Sequence, residues 1–184
     1  MSKQIFLDLE TTGFSRQWDY IIEIAAIIVE NNEIIDHFHE YIKPGKKIPL
    51  EVVNLTGITN EQVSGCRSEK EVLMDFSEWV AIVNPDEIIG HNCKSFDLGF
   101  IREKSMKYGY SWKEPVVTDT LQIARELNKC GKIKTENNKQ PTLAAYFGID
   151  YEAHSAIEDV RALISIYNKM LQLKQPPTRA SLGF

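Results

Sequence analysis

The sequence predicts a three-layer α/β domain built on a mixed sheet. Three segments rich in β-branched and apolar residues open the chain and predict an antiparallel meander: residues 4–9, 21–29 and 34–42. Strand and helix patterns then alternate, which is typical of parallel strand pairs covered by helices. A length of 184 residues with 43% hydrophobic residues is sufficient for one hydrophobic core. We therefore expect a single domain over residues 1–174, with a mixed five-stranded sheet flanked by helices.

Turn and capping residues place the individual elements. Asn31 and Asn32 tolerate positive φ angles and predict a tight hairpin turn. Ser68 with Glu71 predicts a capped helix that ends before residue 85, and Ser95 is the predicted N-cap of the next long helix. The remaining predicted elements are helical turns within 48–63, strands at 87–92 and 116–119, helices at 95–108, 120–127, 143–147 and 156–173, and an extended tail over 175–184.

Composition excludes several classes of protein. The net charge of −5 argues against a broad basic surface, so a nucleic-acid partner must be held locally or through bound cations. Cys66, Cys93 and Cys130 are odd in number and far apart, which favours a reducing cytoplasm over a disulfide scaffold or a zinc ribbon. The most apolar run, residues 21–29, contains Glu23 and is shorter than the roughly 18 residues of a spanning helix. We therefore expect a cytoplasmic protein with no membrane association.

Two carboxylates lie close together in the first predicted strand. Asp8 and Glu10 are two residues apart, so their side chains emerge on the same face of an otherwise apolar segment. Like charges in such a place lose hydration and repel each other unless bound cations offset the penalty. Thr11 and Thr12 follow in a predicted turn, where hydroxyls and amides can contact a ligand. An isolated pair with this spacing is also typical of a strand end at the surface.

Two predicted helix starts carry further ionisable residues. Asp97 lies in the first turn of its helix, near the positive end of the helix dipole. Ser155 and Glu158 have the spacing of a capping box, which places His154 just before the helix and Asp159 at its fourth position. These two positions normally touch, and Asp159 lies off the apolar stripe of the helix. Taken alone, Asp97 is typical of a helix start, and His154 with Asp159 is typical of a surface pair.

The coincidence of four acids and one histidine favours a single site. Asp8, Glu10, Asp97, His154 and Asp159 all lie at strand ends or helix starts. Open α/β sheets bind ligands outside the ends of their strands. Oxygen-rich clusters prefer Mg²⁺ or Mn²⁺ to zinc. We therefore expect these five residues to meet in one pocket.

Three blocks that carry these residues resemble the signature of the DEDDh (DnaQ-like) 3′-to-5′ exonucleases. The blocks are Phe6-Leu7-Asp8-Leu9-Glu10-Thr11-Thr12-Gly13, His91-Asn92 with Phe96-Asp97, and His154 with Ala156 and Asp159. The resemblance spans about residues 4–170 and is strongest to the polymerase-associated epsilon type. It implies the ribonuclease-H-like fold.

The resemblance also implies a two-metal phosphodiester hydrolase. Asp8, Glu10, Asp97 and Asp159 are then ligands of two divalent cations, Mg²⁺ or Mn²⁺, and His154 is the general base. In such sites the ions lie about 3.5 to 4 Å apart, one activating water and the other stabilising the leaving oxygen. His154 suits this role because the unperturbed pKa of histidine, about 6.5, is close to neutral pH.

Five further residues are implied to meet the terminal nucleotide. Thr11, Thr12 and Asn92 match family positions that contact it, and Leu55 and Ile58 match positions that pack against its base. The same residue types are ordinary in turns and cores, so a structural role is the alternative at each position.

The implied substrate is a single-stranded 3′ end of DNA, which is shortened with release of 5′-mononucleotides during replication or repair proofreading beside a replicative polymerase. Trimming of RNA 3′ ends is the alternative within the same chemistry. A non-catalytic interaction module of the same fold is a third possibility, against which the presence of all five active-site residue types argues.

Three other groups of residues are noticeable. The segment from Arg179 to Phe184 resembles a sliding-clamp-binding peptide, although Arg179 stands where glutamine is usual, and a frayed terminus is the alternative. His37 and His39 are interpreted as surface residues because no partner cysteine or acid cluster is placed to complete a metal site. Four lysines in the loop 128–140 favour a solvated loop, with a strand-guiding patch as the alternative: Lys129, Lys132, Lys134 and Lys139.

Overall fold

The computed structural model describes residues 2–150 and 155–174. Its strands are β1 (Lys3–Thr11), β2 (Ile21–Glu30), β3 (Glu33–Tyr41), β4 (Glu87–Gly90) and β5 (Val116–Asp119). Its helices are α1 (Leu50–Thr56), α2 (Asn60–Val63), α3 (Glu69–Val83), α4 (Asp97–Tyr108), α5 (Thr120–Lys129), α6 (Gln140–Phe147) and α7 (Ala156–Lys174). No helix in these residues is both long and apolar enough to cross a membrane.

The five strands form one mixed sheet in the order β3-β2-β1-β4-β5. β2 is antiparallel to both β1 and β3, whereas β4 is parallel to β1 and β5 is parallel to β4. The predicted mixed sheet is therefore confirmed. Because β1, β4 and β5 run in the same direction, their carboxyl ends meet at one edge of the sheet.

The predicted hairpin turn between β2 and β3 is also confirmed. Asn31 and Asn32 have φ angles of 55° and 65°. Two successive positive φ angles match the twist of the flanking strands, and asparagine tolerates this conformation better than most residues.

Alternation along β1 assigns its side chains to two different cores. Ile5, Leu7 and Leu9 pack with apolar residues of α3 and α4 on one face. Phe6 packs on the opposite face with Val160 and other residues of α7. Because side chains alternate along a strand, Asp8 and Glu10 lie on the Phe6 face, toward α7. The core thus directs both acids toward the helix that carries Asp159.

Two predicted boundaries are wrong at the carboxyl end of β4. The strand ends at Gly90 rather than at 92, and α4 begins at Asp97 with Phe96 as its N-cap. Ser95, the predicted cap, donates its hydroxyl to Asn92 instead. The cause is Asn92, whose φ of 62° turns the chain sharply away from the sheet. Asp97 nevertheless lies in the first turn of the helix, as predicted.

Candidate active site

The structure brings the four predicted acids into one cleft. This cleft, of about 200 Å³, lies at the carboxyl edge of the sheet, between β1, the start of α4 and the starts of α6 and α7. It is lined by Asp8, Glu10, Asp97 and Asp159, together with Leu9, His91, Phe96, Gln140 and Pro141. Residues from four separate segments of the chain therefore converge, and we call this the acid cleft.

Three of the acids are spaced to share a cation. Asp8, Glu10 and Asp159 each present a carboxylate oxygen, and these oxygens all lie within 4.8 Å of one another. Carboxylate oxygens are the ligands that Mg²⁺ and Mn²⁺ prefer. The donor set and its spacing fit a divalent cation of this class.

Asp97 adds a buried carboxylate beside these three. Its side chain is 2% exposed, and its carboxylate accepts a hydrogen bond from the Leu9 backbone. Its Oδ1 atom is buried and has no hydrogen-bond partner within residues 2–150 and 155–174. A buried carboxylate oxygen without a partner is costly, and a cation in the acid cleft would supply the missing interaction.

Crowding of the acids raises their pKa values. Burial raises the pKa of Asp8 well above its ordinary value, and the charges of Asp97, Asp159, Glu10 and Glu23 raise it further. Burial, followed by repulsion from Asp159, Glu23 and Asp97, raises the pKa of Glu10 to about 8. Burial also raises the pKa of Asp97. Without cations the site therefore favours protonated acids, and bound cations would favour the ionised forms.

Asp159 is not a surface residue. It lies off the apolar stripe of α7, as predicted, but it is only 9% exposed because its side chain turns into the acid cleft. Gln140 holds it there: the Nε2 atom of Gln140 donates to Asp159 Oδ1 at 2.8 Å and to the Asp159 carbonyl at 3.0 Å. The surface alternative is thus excluded for Asp159.

Gln140 itself has no functional signal in the sequence. The predicted loop ends at residue 140 and the next predicted helix begins at 143, whereas α6 begins at Gln140. Only folding brings Gln140 to Asp159, 19 residues further along the chain.

Glu23 is a second supporting residue that the sequence analysis did not assign. It is fully buried, and its carboxylate accepts hydrogen bonds from the Ala156 backbone at 3.2 Å and from His39 Nε2 at 2.7 Å. His39 is half-buried and bonds to this buried acid, whereas His37 is an exposed surface residue as expected. The single acid in the apolar run 21–29 was the available signal.

Two predicted functional segments lie outside the described residues. His154, the proposed general base, is one residue before the described Ser155. The tail over 175–184, including the segment from Arg179 to Phe184, also lies outside them. Their predicted roles remain predictions.

The residues predicted to contact the terminal nucleotide lie in different environments. The hydroxyl of Thr11 donates to the Gly13 carbonyl and that of Thr12 to Asp19, so both side chains shape the loop after β1. Leu55 on α1 is 54% exposed, whereas Ile58 is 3% exposed and packs in the small core beneath this segment. Asn92 is exposed and lines a neighbouring cleft. Leu55 and Asn92 therefore have accessible side chains, and Ile58 has a core position.

Comparison with known proteins places the chain in a family. The exonuclease family model (RNase_T) matches residues 5–167. PolC-type DNA polymerases III of Staphylococcus epidermidis and Staphylococcus aureus are 38% identical to the chain over 172 residues, which is 91% of this chain but 11% of theirs.

The fold matches that of exonuclease I. One structure of this enzyme has a TM-score of 0.80 at 23% identity and covers 96% of this chain and 42% of its own. E. coli exonuclease I in complex with a 5cy-dA13 oligonucleotide has a TM-score of 0.81 at 22% identity, and it covers 96% of this chain and 41% of its own. A zinc-bound form of the complex between E. coli exonuclease I and single-stranded DNA has a TM-score of 0.79 at 23% identity, covering 96% of this chain and 41% of its own. The ribonuclease-H-like fold is thereby confirmed, and since the family model covers most of the chain, the chain belongs to the exonuclease family.

Proposed function

We propose that this exonuclease-family chain hydrolyses the terminal phosphodiester bond at the 3′ end of single-stranded DNA and releases 5′-mononucleotides. The observation that carries the proposal is the acid cleft, where three carboxylate oxygens lie within 4.8 Å of one another and the buried Oδ1 atom of Asp97 has no hydrogen-bond partner among the described residues. The similarity to PolC-type polymerases supports DNA as the substrate and proofreading as the context. The same similarity supports association with a replicative polymerase in the cytoplasm.

The four acids would hold two divalent cations, Mg²⁺ or Mn²⁺. Asp8, Glu10, Asp97 and Asp159 are the ligands in this proposal. Cations bound there would supply positive charge for the scissile phosphate and would activate the attacking water. The chain itself fixes the ligands: Leu9 donates to Asp97 and Gln140 donates to Asp159, so little rearrangement is needed when the substrate arrives.

His154 would accept the proton of the attacking water. In the sequence it is two residues before the start of α7 and five residues before Asp159. We expect His154→Ala to lower the turnover about 10²- to 10⁴-fold, the usual contribution of a general base. Binding of Mn²⁺, measured by calorimetry, should change little because the four carboxylates remain. Near-normal turnover in this variant would remove His154 from the mechanism.

The terminal nucleotide would lie on the β2 side of the acid cleft. There the exposed Leu55 would pack against its base, and the loop after β1, shaped by Thr11 and Thr12, would offer backbone groups to the sugar and phosphate. The side chain of Ile58 would support Leu55 from the core. Contact of the tail with a sliding clamp stays a separate prediction, tested by clamp binding with and without residues 179–184.

One cleavage experiment tests the activity. Matched DNA and RNA oligonucleotides, labelled at the 5′ end or at the 3′ end, are incubated with the chain and Mg²⁺ or Mn²⁺. We expect a descending ladder from 5′-labelled DNA, immediate release of one labelled nucleotide from 3′-labelled DNA, and neither product with Asp8→Ala or EDTA. A ladder from RNA alone would replace DNA by RNA as the substrate, and internal cuts or metal-independent release would refute the proposal.

A further inference from the structure

A second cleft opens beside the acid cleft and has the opposite character. It has a volume of about 340 Å³ and lies between the end of β4, the helix α5 and the start of α6. His91 and Gln140 line both clefts, so the two are direct neighbours. We call the second one the basic cleft because Arg125 and Lys139 line it.

Both cations of the basic cleft are available to a ligand. Arg125 and Lys139 are exposed, and within residues 2–150 and 155–174 neither charged group forms an ion pair or a side-chain hydrogen bond. Of the four lysines in the loop 128–140, Lys139 is the one that lines this cleft. In a chain with a net charge of −5, two basic side chains that have no ion pair among the described residues form a local site for an anion.

The walls of the basic cleft are fixed by hydrogen bonds. The ring of His91 bonds to the Thr120 hydroxyl through Nδ1 at 2.9 Å and also to the Asn138 backbone, which precedes Lys139. Asp119 accepts hydrogen bonds from the backbone amides of Asn92 and Lys94 at 2.9 and 3.3 Å, so the loop between β4 and α4 stabilises its negative charge. The bond from His91 attaches the loop that carries Lys139 to the end of β4, so the backbone on this side of the basic cleft is held in place.

The sheet order determines which anion reaches this cleft. In the order β3-β2-β1-β4-β5, the Leu55 segment packs on the β2 and β3 side of the acids, whereas the basic cleft lies on the β4 and β5 side. A strand whose terminal nucleotide lies near Leu55 and whose scissile phosphate lies at the acids therefore continues toward Arg125 and Lys139. The next negatively charged group on that DNA strand is the phosphodiester on the 5′ side of the scissile phosphate.

We propose that Arg125 and Lys139 form a subsite for the phosphate immediately 5′ of the scissile one. This inference rests on the proposed function, because it takes the position of the scissile phosphate from it. Arginine presents a planar fork to phosphate oxygens and lysine presents a point charge, so the pair binds the backbone without reading the base. The phosphate of a released 5′-nucleotide has the same chemistry and is the competing source of the anion.

Three short DNA substrates separate these sources. An unphosphorylated dinucleotide has only the scissile phosphate, whereas the same dinucleotide with a 5′-phosphate and a trinucleotide each have one phosphate more. We compare the full chain with the double variant Arg125→Ala/Lys139→Ala and with Lys134→Ala, an exposed lysine of the same loop that does not line the cleft.

We expect the double variant to raise KM about tenfold on the two substrates with the additional phosphate, with kcat and the KM of the unphosphorylated dinucleotide nearly unchanged. Lys134→Ala should change neither KM nor kcat on any of the three substrates. An equal rise in KM on all three substrates, or no rise on any, would overturn the subsite. Weaker product inhibition by 5′-mononucleotide without a change in KM would overturn it in favour of a product site.

Binding separates this inference from the proposed function. Affinities of the same substrates are measured in EDTA, where no cleavage occurs. Tighter binding of the 5′-phosphorylated dinucleotide than of the unphosphorylated one, lost in the double variant, supports the subsite even if cleavage fails. Cleavage by the wild-type chain with equal affinity for both dinucleotides removes the subsite and leaves the proposed function intact.

Discussion

Replacing Glu10 by glutamine should stabilise the metal-free protein while it weakens the binding of cations. In the folded chain the pKa of Glu10 is raised from 4.5 to about 8 by burial and by the charges of Asp159, Glu23 and Asp97. The folded state therefore retains a proton that the unfolded chain releases, and the free energy of unfolding falls as the pH rises between these two values. Glutamine has nearly the same shape as protonated glutamate and does not ionise.

The magnitude follows from the pKa difference. From 4.5 to about 8 is about 3.5 pH units, which at about 1.4 kcal/mol each gives an upper bound of about 5 kcal/mol. Water in the open acid cleft screens part of this, so we expect Glu10→Gln to raise the free energy of unfolding by about 2 kcal/mol at pH 8.5 and by almost nothing at pH 4.5. For a domain of this length the gain corresponds to about 4 to 8 °C in Tm.

Thermal unfolding in EDTA across pH 4.5 to 8.5 tests this expectation, with Glu33→Gln, an exposed glutamate at the start of β3, as the matched control. The control should follow the wild-type chain at every pH. Addition of Mn²⁺ should raise the Tm of the wild-type chain more than that of Glu10→Gln. A variant less stable than the wild-type chain at pH 8.5 in EDTA would refute the reasoning, because the acids would then stabilise one another without a cation.

Three other substitutions test the supports of the site and fold. Gln140→Leu removes the donor to Asp159, so turnover should fall about tenfold and the Mn²⁺ concentration for half-maximal activity should rise. The control Gln122→Leu, on the exposed side of α5, should change neither quantity. An unaltered Mn²⁺ requirement in Gln140→Leu would contradict this role. Lys104 is fully buried, donates to the Asp19 carbonyl at 2.5 Å and lies 3.8 Å from Glu69. Lys104→Met should therefore lower the free energy of urea unfolding by about 3 to 5 kcal/mol, because it leaves the buried Glu69 without this positive charge. A loss under about 1 kcal/mol would show that Glu69 does not depend on the charge of Lys104. Asn32→Ala should lower the same free energy by about 1 kcal/mol and Asn32→Gly should not, since φ at this position is 65°; equal effects would exclude backbone conformation as the cause.

The acids could be predicted from the sequence because their signals are local. Asp8 and Glu10 share a strand, Asp97 and Asp159 each lie in the first turn of a helix, and each pattern is visible within a few residues. Their convergence follows from the parallel direction of β1 and β4, which the alternation of strands and helices already indicates. The boundaries around Asn92 could not be predicted, because the left-handed turn there depends on Asp119, 27 residues away, accepting from its amide.

Supporting residues lack such signals because their partners are distant in the chain. Gln140 reaches Asp159 across 19 residues, and Glu23 reaches the Ala156 amide across 133. Neither residue type is unusual where it occurs, apart from the charge of Glu23 in an apolar strand. A buried polar group must find a partner, so the sequence indicates that Glu23 needs one but not which one.

Glu23 is a fifth acid beside the acid cleft, and its hydrogen bonds explain how its charge is tolerated there. Its charge raises the pKa values of Asp8 and Glu10, which by itself destabilises the metal-free site. The Ala156 amide at the first turn of α7 and the His39 ring both bond to Glu23, and a carboxylate at the positive end of a 19-residue helix is electrostatically favoured. Glu23 thus fixes the start of the helix that carries Asp159 while adding negative charge near the cation ligands. The same carboxylate serves the geometry of the site and increases the attraction of the acid cleft for divalent cations.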